Sequence, residues 1–174
     1  MTTAPGYMLD TNVFNFVLDG KVEVAALNGR RLFATHIQHD ELSKTKDERR
    51  RANLLAVFEA LTPEQLPTSS AVAGISVAGG AAASAGGQIP TESAVWGVSR
   101  FGQAKWGAND NIFEGMRGEL DSLNKAKRNN SEDILIAETA LRNGFVLLTS
   151  DRDLMEVCRK YGGACEDARN IGVA

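Results

Sequence analysis

Residues 131–163 read SEDILIAETALRNGFVLLTSDRDLMEVCRKYGG. Ser131 is a good helix N-cap, Ile134, Ala137 and Leu141 recur at helical spacing, and Asn143-Gly144 is a helix terminator. Phe145 to Thr149 is then an apolar run of strand length, fit for a central parallel strand buried on both faces. It ends at Ser150-Asp151, and a further helix from about Asp153 to Tyr161 stops at Gly162-Gly163. Asp153 reads as the cap of that helix. The repeating unit is strand, acid, helix.

The N-terminal part repeats the unit. A short apolar segment from Gly6 to Leu9 reads as a strand ending at Asp10, followed by a helix from about Asn12 to Leu18. Leu32 to Ala34 reads as a second strand. Thr35 with Gln38 three residues on is a capping-box signature, which predicts one long helix from His36 to about Leu61 with Glu41 in its early turns. Leu54, Val57, Phe58 and Leu61 supply the apolar stripe of its second half. Leu66 to Ala73 is a weak strand. Alternation of strands and helices implies an α/β fold with an open, mainly parallel central sheet flanked by helices, and sites at the carboxyl ends of its strands.

A length of 174 residues suits one domain spanning 1–174, and 43% apolar with 24% charged residues is ordinary globular composition. From Ser69 to Gly87, 16 of 19 residues are Gly, Ala or Ser. That composition buries little and loses much backbone entropy on ordering, so a flexible loop or insertion is expected at about 69–90. Beyond it, Val95, Trp96, Phe101 and Trp106 read as core anchors ahead of a helix at about Asn111 to Leu123. No run approaches 18 apolar residues and Met1 to Tyr7 lacks a signal peptide's pattern, so a cytoplasmic chain without membrane contact is expected. Cys158 and Cys165 form no CxxC or Cys/His cluster and read as structural thiols. His36 and His39, three apart on one helix, read as surface or packing groups.

Four acids stand at element boundaries: Asp10 in Leu9-Asp10-Thr11-Asn12, Glu41 after Asp40, Asp133 in Asp133-Ile134-Leu135-Ile136-Ala137, and Asp151 in Thr149-Ser150-Asp151-Arg152-Asp153. Each has a plain structural reading. Asp10 and Asp151 suit helix caps, Glu41 an exposed helix turn, and Asp133 the first turn of a helix whose dipole favours it. Their joint placement says more, because strand ends of one parallel sheet converge on one crevice. Two like charges about 4 Å apart cost about 4 kcal/mol at an effective dielectric of about 20. A cluster of carboxylates therefore calls for cations, and oxygen ligands without His or Cys select Mg²⁺ or Mn²⁺ over zinc.

On these motifs the chain resembles the PIN-domain family of metal-dependent ribonucleases, and more narrowly the toxin nucleases of bacterial toxin–antitoxin pairs. The resemblance covers the first 60 residues and the final 45, and the middle, from about Ser69 to Lys127, departs from it. It implies a PIN-like three-layer sandwich, with Asp10, Glu41, Asp133 and Asp151 as catalytic and metal-holding acids. Thr11, Asn12 and Thr149 would be supporting polar residues and Asp153 an accessory acid. It also implies an RNA substrate, a restraining antitoxin protein and a homodimer. An acidic pocket repels RNA, so phosphate contacts would fall to nearby cations: Lys44, Lys46, Arg49, Arg50 and Arg51, together with Lys125, Lys127 and Arg128. Both groups also suit ordinary solvated helix faces.

Two other classes are open at this stage. One is a non-catalytic RNA- or protein-binding module of the same fold, whose acids are caps. The other, a hydrolase attacking through Asp10, is weakened because no second Asp stands two positions after it.

Overall fold

The computed structural model describes residues 4–61, 63–72, 105–106 and 110–172. Five parallel strands form the central sheet in the order β3-β2-β1-β6-β7. They are β1 (Gly6–Leu9), β2 (Arg31–Ala34), β3 (Glu64–Gln65), β6 (Val146–Thr149) and β7 (Ala164–Asp167). The helices are α1 (Thr11–Leu18), α2 (Val24–Leu27), α3 (His36–Ser43), α4 (Glu48–Leu61), α5 (Ile112–Asn124), α6 (Asn130–Asn143) and α7 (Arg152–Lys160). Strands β4 (Ala71–Val72) and β5 (Lys105–Trp106) pair antiparallel, apart from the central sheet. This is the α/β fold with a parallel sheet flanked by helices that the sequence implies.

Side-chain alternation along the central strands builds two cores. Met8, Phe33 and Leu147 face one side, where Phe113, Met116 and Leu120 of α5, Ile134 and Ala137 of α6, and Leu154 and Val157 of α7 cover them. Leu9, Ala34 and Leu148 face the other, packed with Val13 and Phe14 of α1, Leu54 and Phe58 of α4, and Ala168. The result is three layers, which explains why Gly6–Leu9 and the end of β6 are buried throughout instead of alternating with exposed residues.

Gly6 is a close approach of backbone to side chains. A Cβ there would lie 2.6 Å from the Phe33 ring and 2.7 Å from that of Phe145, two rings stacked at 4.2 Å. Gly6→Val is therefore expected to overpack the sheet and cost about 1–3 kcal/mol, read as a lower denaturation midpoint; unchanged stability would show that the ring pair yields freely.

Several boundaries differ from the sequence expectations. The long helix over residues 36–61 is two helices, α3 and α4, with Lys44 closing the first. Asp47 ends the interruption by accepting a hydrogen bond from the Arg50 N–H at 2.6 Å, a side-chain cap that restarts the helix. Helix α6 begins at Asn130, so Ser131 lies inside its first turn instead of capping it. Asp151, not Asp153, caps α7, accepting from the N–H groups of Asp153 and Leu154 at 3.0 and 3.1 Å. The weak strand expected over 66–73 is instead β3, just before it, and β4. Strand β7 and helix α2 were not anticipated.

Ser69 and Ser70, at the start of the Gly/Ala/Ser-rich stretch, are buried against α6: the Ser69 N–H donates to Thr139 Oγ1 at 3.0 Å and Ser70 Oγ to Glu138 Oε1 at 2.8 Å. Residues 73–104 and 107–109 lie outside the described residues, and with them most of the expected loop and the expected anchors Val95, Trp96 and Phe101. Among the described residues, no helix is long and apolar enough to cross a membrane.

Candidate active site

The sheet reverses its winding between β1 and β6. Chain order runs from β1 outward to β2 and β3, then crosses to β6 and β7 on the other side. The carboxyl ends of β1 and β6 thus bound the crevice where open α/β sheets place ligands. Asp10 follows β1 directly, its N–H donating to the Leu148 carbonyl at 3.0 Å, and Asp151 follows β6 after one residue.

Asp10 is 4% exposed and densely held. Its Oδ1 accepts from the Thr11 N–H at 2.7 Å, and its Oδ2 accepts from Asn12 Nδ2 and Thr149 Oγ1, each at 2.5 Å. Asn12 Nδ2 also donates to Thr149 Oγ1 at 3.1 Å, and that oxygen accepts from the Asp151 N–H at 3.1 Å. Thr11 turns its hydroxyl the other way and donates to Glu41 Oε2. The three supporting polar residues expected from the sequence therefore do surround the acids, joining β1, α1, α3 and β6 through one chain of hydrogen bonds.

Gln38 belongs to this scaffold and was legible only as a capping residue. The capping box with Thr35 is complete, and Gln38 Oε1 accepts from both the N–H and the hydroxyl of Thr35, at 2.9 and 2.7 Å. Its Nε2 donates to the Leu9 carbonyl at 2.7 Å, tying the start of α3, one turn before Glu41, to the end of β1 beside Asp10. The side chain is fully buried. Gln38→Ala strands the Leu9 carbonyl and both Thr35 donors, an expected loss of about 2–4 kcal/mol in chemical denaturation. A near-neutral result would mean that water takes over these groups.

Asp133 enters from the first turn of α6, where Asn129 Nδ2 donates to its Oδ2 at 3.1 Å. Its carboxyl is pushed up to about 9, first by burial and then by the negative charges of Asp10, Glu41, Asp151 and Glu132. Burial likewise lifts Asp10 to about 6, against the donors Thr149, Thr11 and Asn12 and with the Asp151 charge adding to the rise. Glu41 is raised by burial, with Asp10 and Glu132 adding to the rise while the Thr11 hydroxyl and the Lys44 charge oppose it. The four acids thus form one repelling electrostatic group. Glu132, the residue before Asp133, joins it by adding to the rise at both Glu41 and Asp133. Asp153 lies in the first turn of α7, with its backbone N–H on Asp151.

Cation chemistry fits this donor set. The side chains are hard oxygen donors, and the buried Asn12 Oδ1 and Glu132 Oε2 have no hydrogen-bond partner. Among the described residues, no group of three or more His, Cys, Asp and Glu side chains is placed so that it could hold a metal ion together. Mg²⁺ is commonly held by only one or two carboxylates and completed by its own waters.

The basic residues divide. Lys44 is exposed at the end of α3 and lies close enough to Glu41 for its charge to act there. Lys46, Arg49, Lys125, Lys127 and Arg128 are exposed. Arg50 is committed to α1, donating to Asp19 at 2.9 and 3.2 Å and to Asn15 at 3.0 Å, and Arg51 donates to the Thr45 carbonyl at 2.9 Å. These two are occupied by the fold itself. The split of the long helix also places Arg49, Arg50 and Arg51 on α4, not on the helix of Glu41. His39 packs edge-on against Phe58 at 5.6 Å, a packing role as expected.

Comparison of the chain with protein-family models and with curated proteins gives no match. Among solved structures it is similar to a chain of VapBC2 from Rickettsia felis, solved bound to a DNA fragment from their promoter, at 16% identity and a TM-score of 0.46, covering 92% of this chain and 96% of that one. It is also similar to a chain of FitAcB from Neisseria gonorrhoeae, at 14% identity and a TM-score of 0.48, covering 93% and 97%. Likeness at this distance says nothing about chemistry, which rests on the side chains of this chain.

Proposed function

We propose that the protein is a divalent-metal-dependent endoribonuclease of the PIN type, using Mg²⁺ or Mn²⁺ to hydrolyse RNA phosphodiester bonds. The observation that carries this reading is the mutual repulsion of Asp10, Glu41, Asp133 and Asp151 at the switch point of a parallel sheet, a placement that costs stability and that bound cations would offset. Asp10 and Asp133 would hold the ion, with Glu41 and Asp151 completing its surroundings directly or through water. When bound, the ion supplies an acidified water and stabilises charge on the phosphate. Thr149, Asn12 and the Thr11 N–H fix the Asp10 carboxylate in one orientation, and the Thr11 hydroxyl does the same for Glu41. Lys44 is the cation best placed to receive a phosphate beside the acids, and such contacts weaken as salt rises.

In this reading the protein is the toxin of a toxin–antitoxin pair, acting in the cytoplasm and restrained by an antitoxin protein that covers the acidic crevice, and it works as a homodimer. These features follow from the sequence resemblance. The competing reading, a non-catalytic binding module, draws on one specific observation: Asp10 and Asp151 do cap α1 and α7. Neither Glu41 nor Asp133 caps a helix: the α6 dipole favours Asp133 in its first turn, but burial and the neighbouring negative charges oppose both carboxylates. The test is incubation of the purified chain, freed of any co-purifying partner, with labelled cellular RNA in Mg²⁺ or Mn²⁺ and in chelator. Cleavage confined to the metal-containing samples is expected; a folded chain that binds metal and leaves all RNA intact would favour the binding module.

A further inference from the structure

We propose that Cys158 and Cys165 are a modification site, a dithiol that a hydroperoxide converts to an intramolecular disulfide. Both cysteines are free thiols. Cys158 is buried in the last turns of α7, within the core cluster, and Cys165, in β7, is half-buried and packs against the same cluster. The chain between them doubles back tightly. Gly162 takes φ +87°, and the Gly163 N–H donates to the Cys158 carbonyl at 2.9 Å. A Cβ on Gly163 would lie 2.4 Å from Cys158 Sγ, so the backbone entering β7 runs directly over that sulfur. Pairing of Cys165 with Leu147 of β6 then fixes the second sulfur above the same core.

Both sulfurs therefore lie against the same core cluster, on the face of the sheet that Leu147 also faces. Their surroundings are unequal. Arg159 donates to the Cys165 carbonyl at 3.2 Å, which holds a guanidinium beside the more exposed sulfur, while Cys158 is shut away from solvent. The neighbouring Cys165 and burial hold Cys158 as the thiol against the pull of the Arg159 charge, while Cys158 and Arg159 favour the thiolate at Cys165 against its partial burial. A reactive thiolate beside a second thiol is the arrangement from which a sulfenic acid is resolved to a disulfide.

The chemistry balances with a hydroperoxide as oxidant. The Cys165 thiolate attacks one peroxide oxygen, the O–O bond breaks, an S–O bond forms, and the departing hydroxide or alkoxide takes up a proton from water. Cys158 sulfur then attacks the Cys165 sulfenic sulfur: the S–S bond forms, the S–O bond breaks, and the Cys158 proton leaves with that oxygen as water. The two cysteines give up two electrons and the peroxide accepts them.

The pair sits at the opposite end of α7 from Asp151, so its test does not depend on RNA cleavage. The reduced full chain is treated with hydrogen peroxide, unfolded, alkylated with iodoacetamide and weighed intact. The expected product is a monomer lighter by two hydrogens that takes up no alkyl group and regains both sites after dithiothreitol. In folded Cys158→Ala, checked by circular dichroism, peroxide is expected to leave Cys165 as a sulfenic acid captured by dimedone. In folded Cys165→Ala, oxidation of Cys158 should be slower by about tenfold or more. Two alkyl groups on the peroxide-treated wild-type chain, a sulfinic acid on Cys165 with Cys158 still alkylated, or a disulfide only between chains would each overturn the proposal.

Discussion

Asp10→Asn is expected to lower metal-dependent RNA cleavage by about 10³-fold or more while the fold persists. The substitution keeps the shape of a side chain that is 4% exposed and removes the one full negative charge closest to the end of β1. Its hydrogen bonds can be rearranged locally. The new carbonyl still accepts from the Thr11 N–H, and the Thr149 hydroxyl, now on the donor side of Asp10, can rotate. Asn12 can flip its amide so that Oδ1, unpartnered in the native protein, accepts from the new amide group. Loss of stability is therefore small, and loss of cation affinity accounts for loss of rate. The measurement is initial cleavage rate at saturating Mn²⁺, beside a thermal melt. An Asp10→Asn protein of full activity would end the assignment of this residue.

Asp133→Asn is expected to act in opposite directions on stability and function. Without metal, the Asp133 carboxyl titrates near 9 in the folded protein against 3.8 in the reference state, and Asp10 near 6 against the same value. Both folded values are raised, so the folded chain binds more protons than the unfolded chain above pH 3.8. Stability is then greatest at low pH and declines as pH rises, through about 6 for Asp10 and to about 9 for Asp133, after which these two groups contribute no further slope. At neutral pH the amide removes most of the Asp133 contribution, and the metal-free variant should be more stable than wild type by about 2–4 kcal/mol. Cleavage should fall together with metal affinity.

The same titrations require that cation binding release protons, so the apparent affinity of the wild-type chain for Mn²⁺ should rise between pH 6 and 9. Chemical denaturation in chelator at several pH values gives the stability profile, and calorimetry in buffers of different ionisation enthalpy counts the protons. A metal-free Asp133→Asn chain less stable than wild type at neutral pH would show that the carboxylate is held by compensating contacts, not by a cation.

The elements that place the acids were legible because they obey simple rules. Gly6 to Leu9 and Phe145 to Thr149 are apolar runs too short for helices and too continuous for half-exposed strands, and they are the neighbouring central strands β1 and β6. Asp10 and Asp151 were then found at their ends. Strand β7 escaped notice because Ala-Cys-Glu-Asp at a sheet edge is only half-buried on alternate residues and carries no apolar pattern. The break between α3 and α4 was hidden because Lys44 to Asp47 contains neither Gly nor Pro; the signal that mattered was Asp47, a capping residue inside a charged run. Ser131 has the side chain of a cap, but two asparagines precede it and the helix starts among them. Gln38 could be seen as half of a capping box, but its bond to Leu9, 29 residues away, depends on the folded sheet. The strengthening of each acid's charge cost by the others, with Glu132 among them, likewise exists only once the chain is folded.

The most direct measurement follows Mn²⁺ binding and RNA cleavage in the same preparation, across one titration, for the wild-type chain and for Asp10→Asn. Binding and cleavage should rise together in the wild type and should both be lost in the variant. Cleavage that persists in chelator, or a folded wild-type chain that binds Mn²⁺ yet cleaves no RNA, would contradict the account.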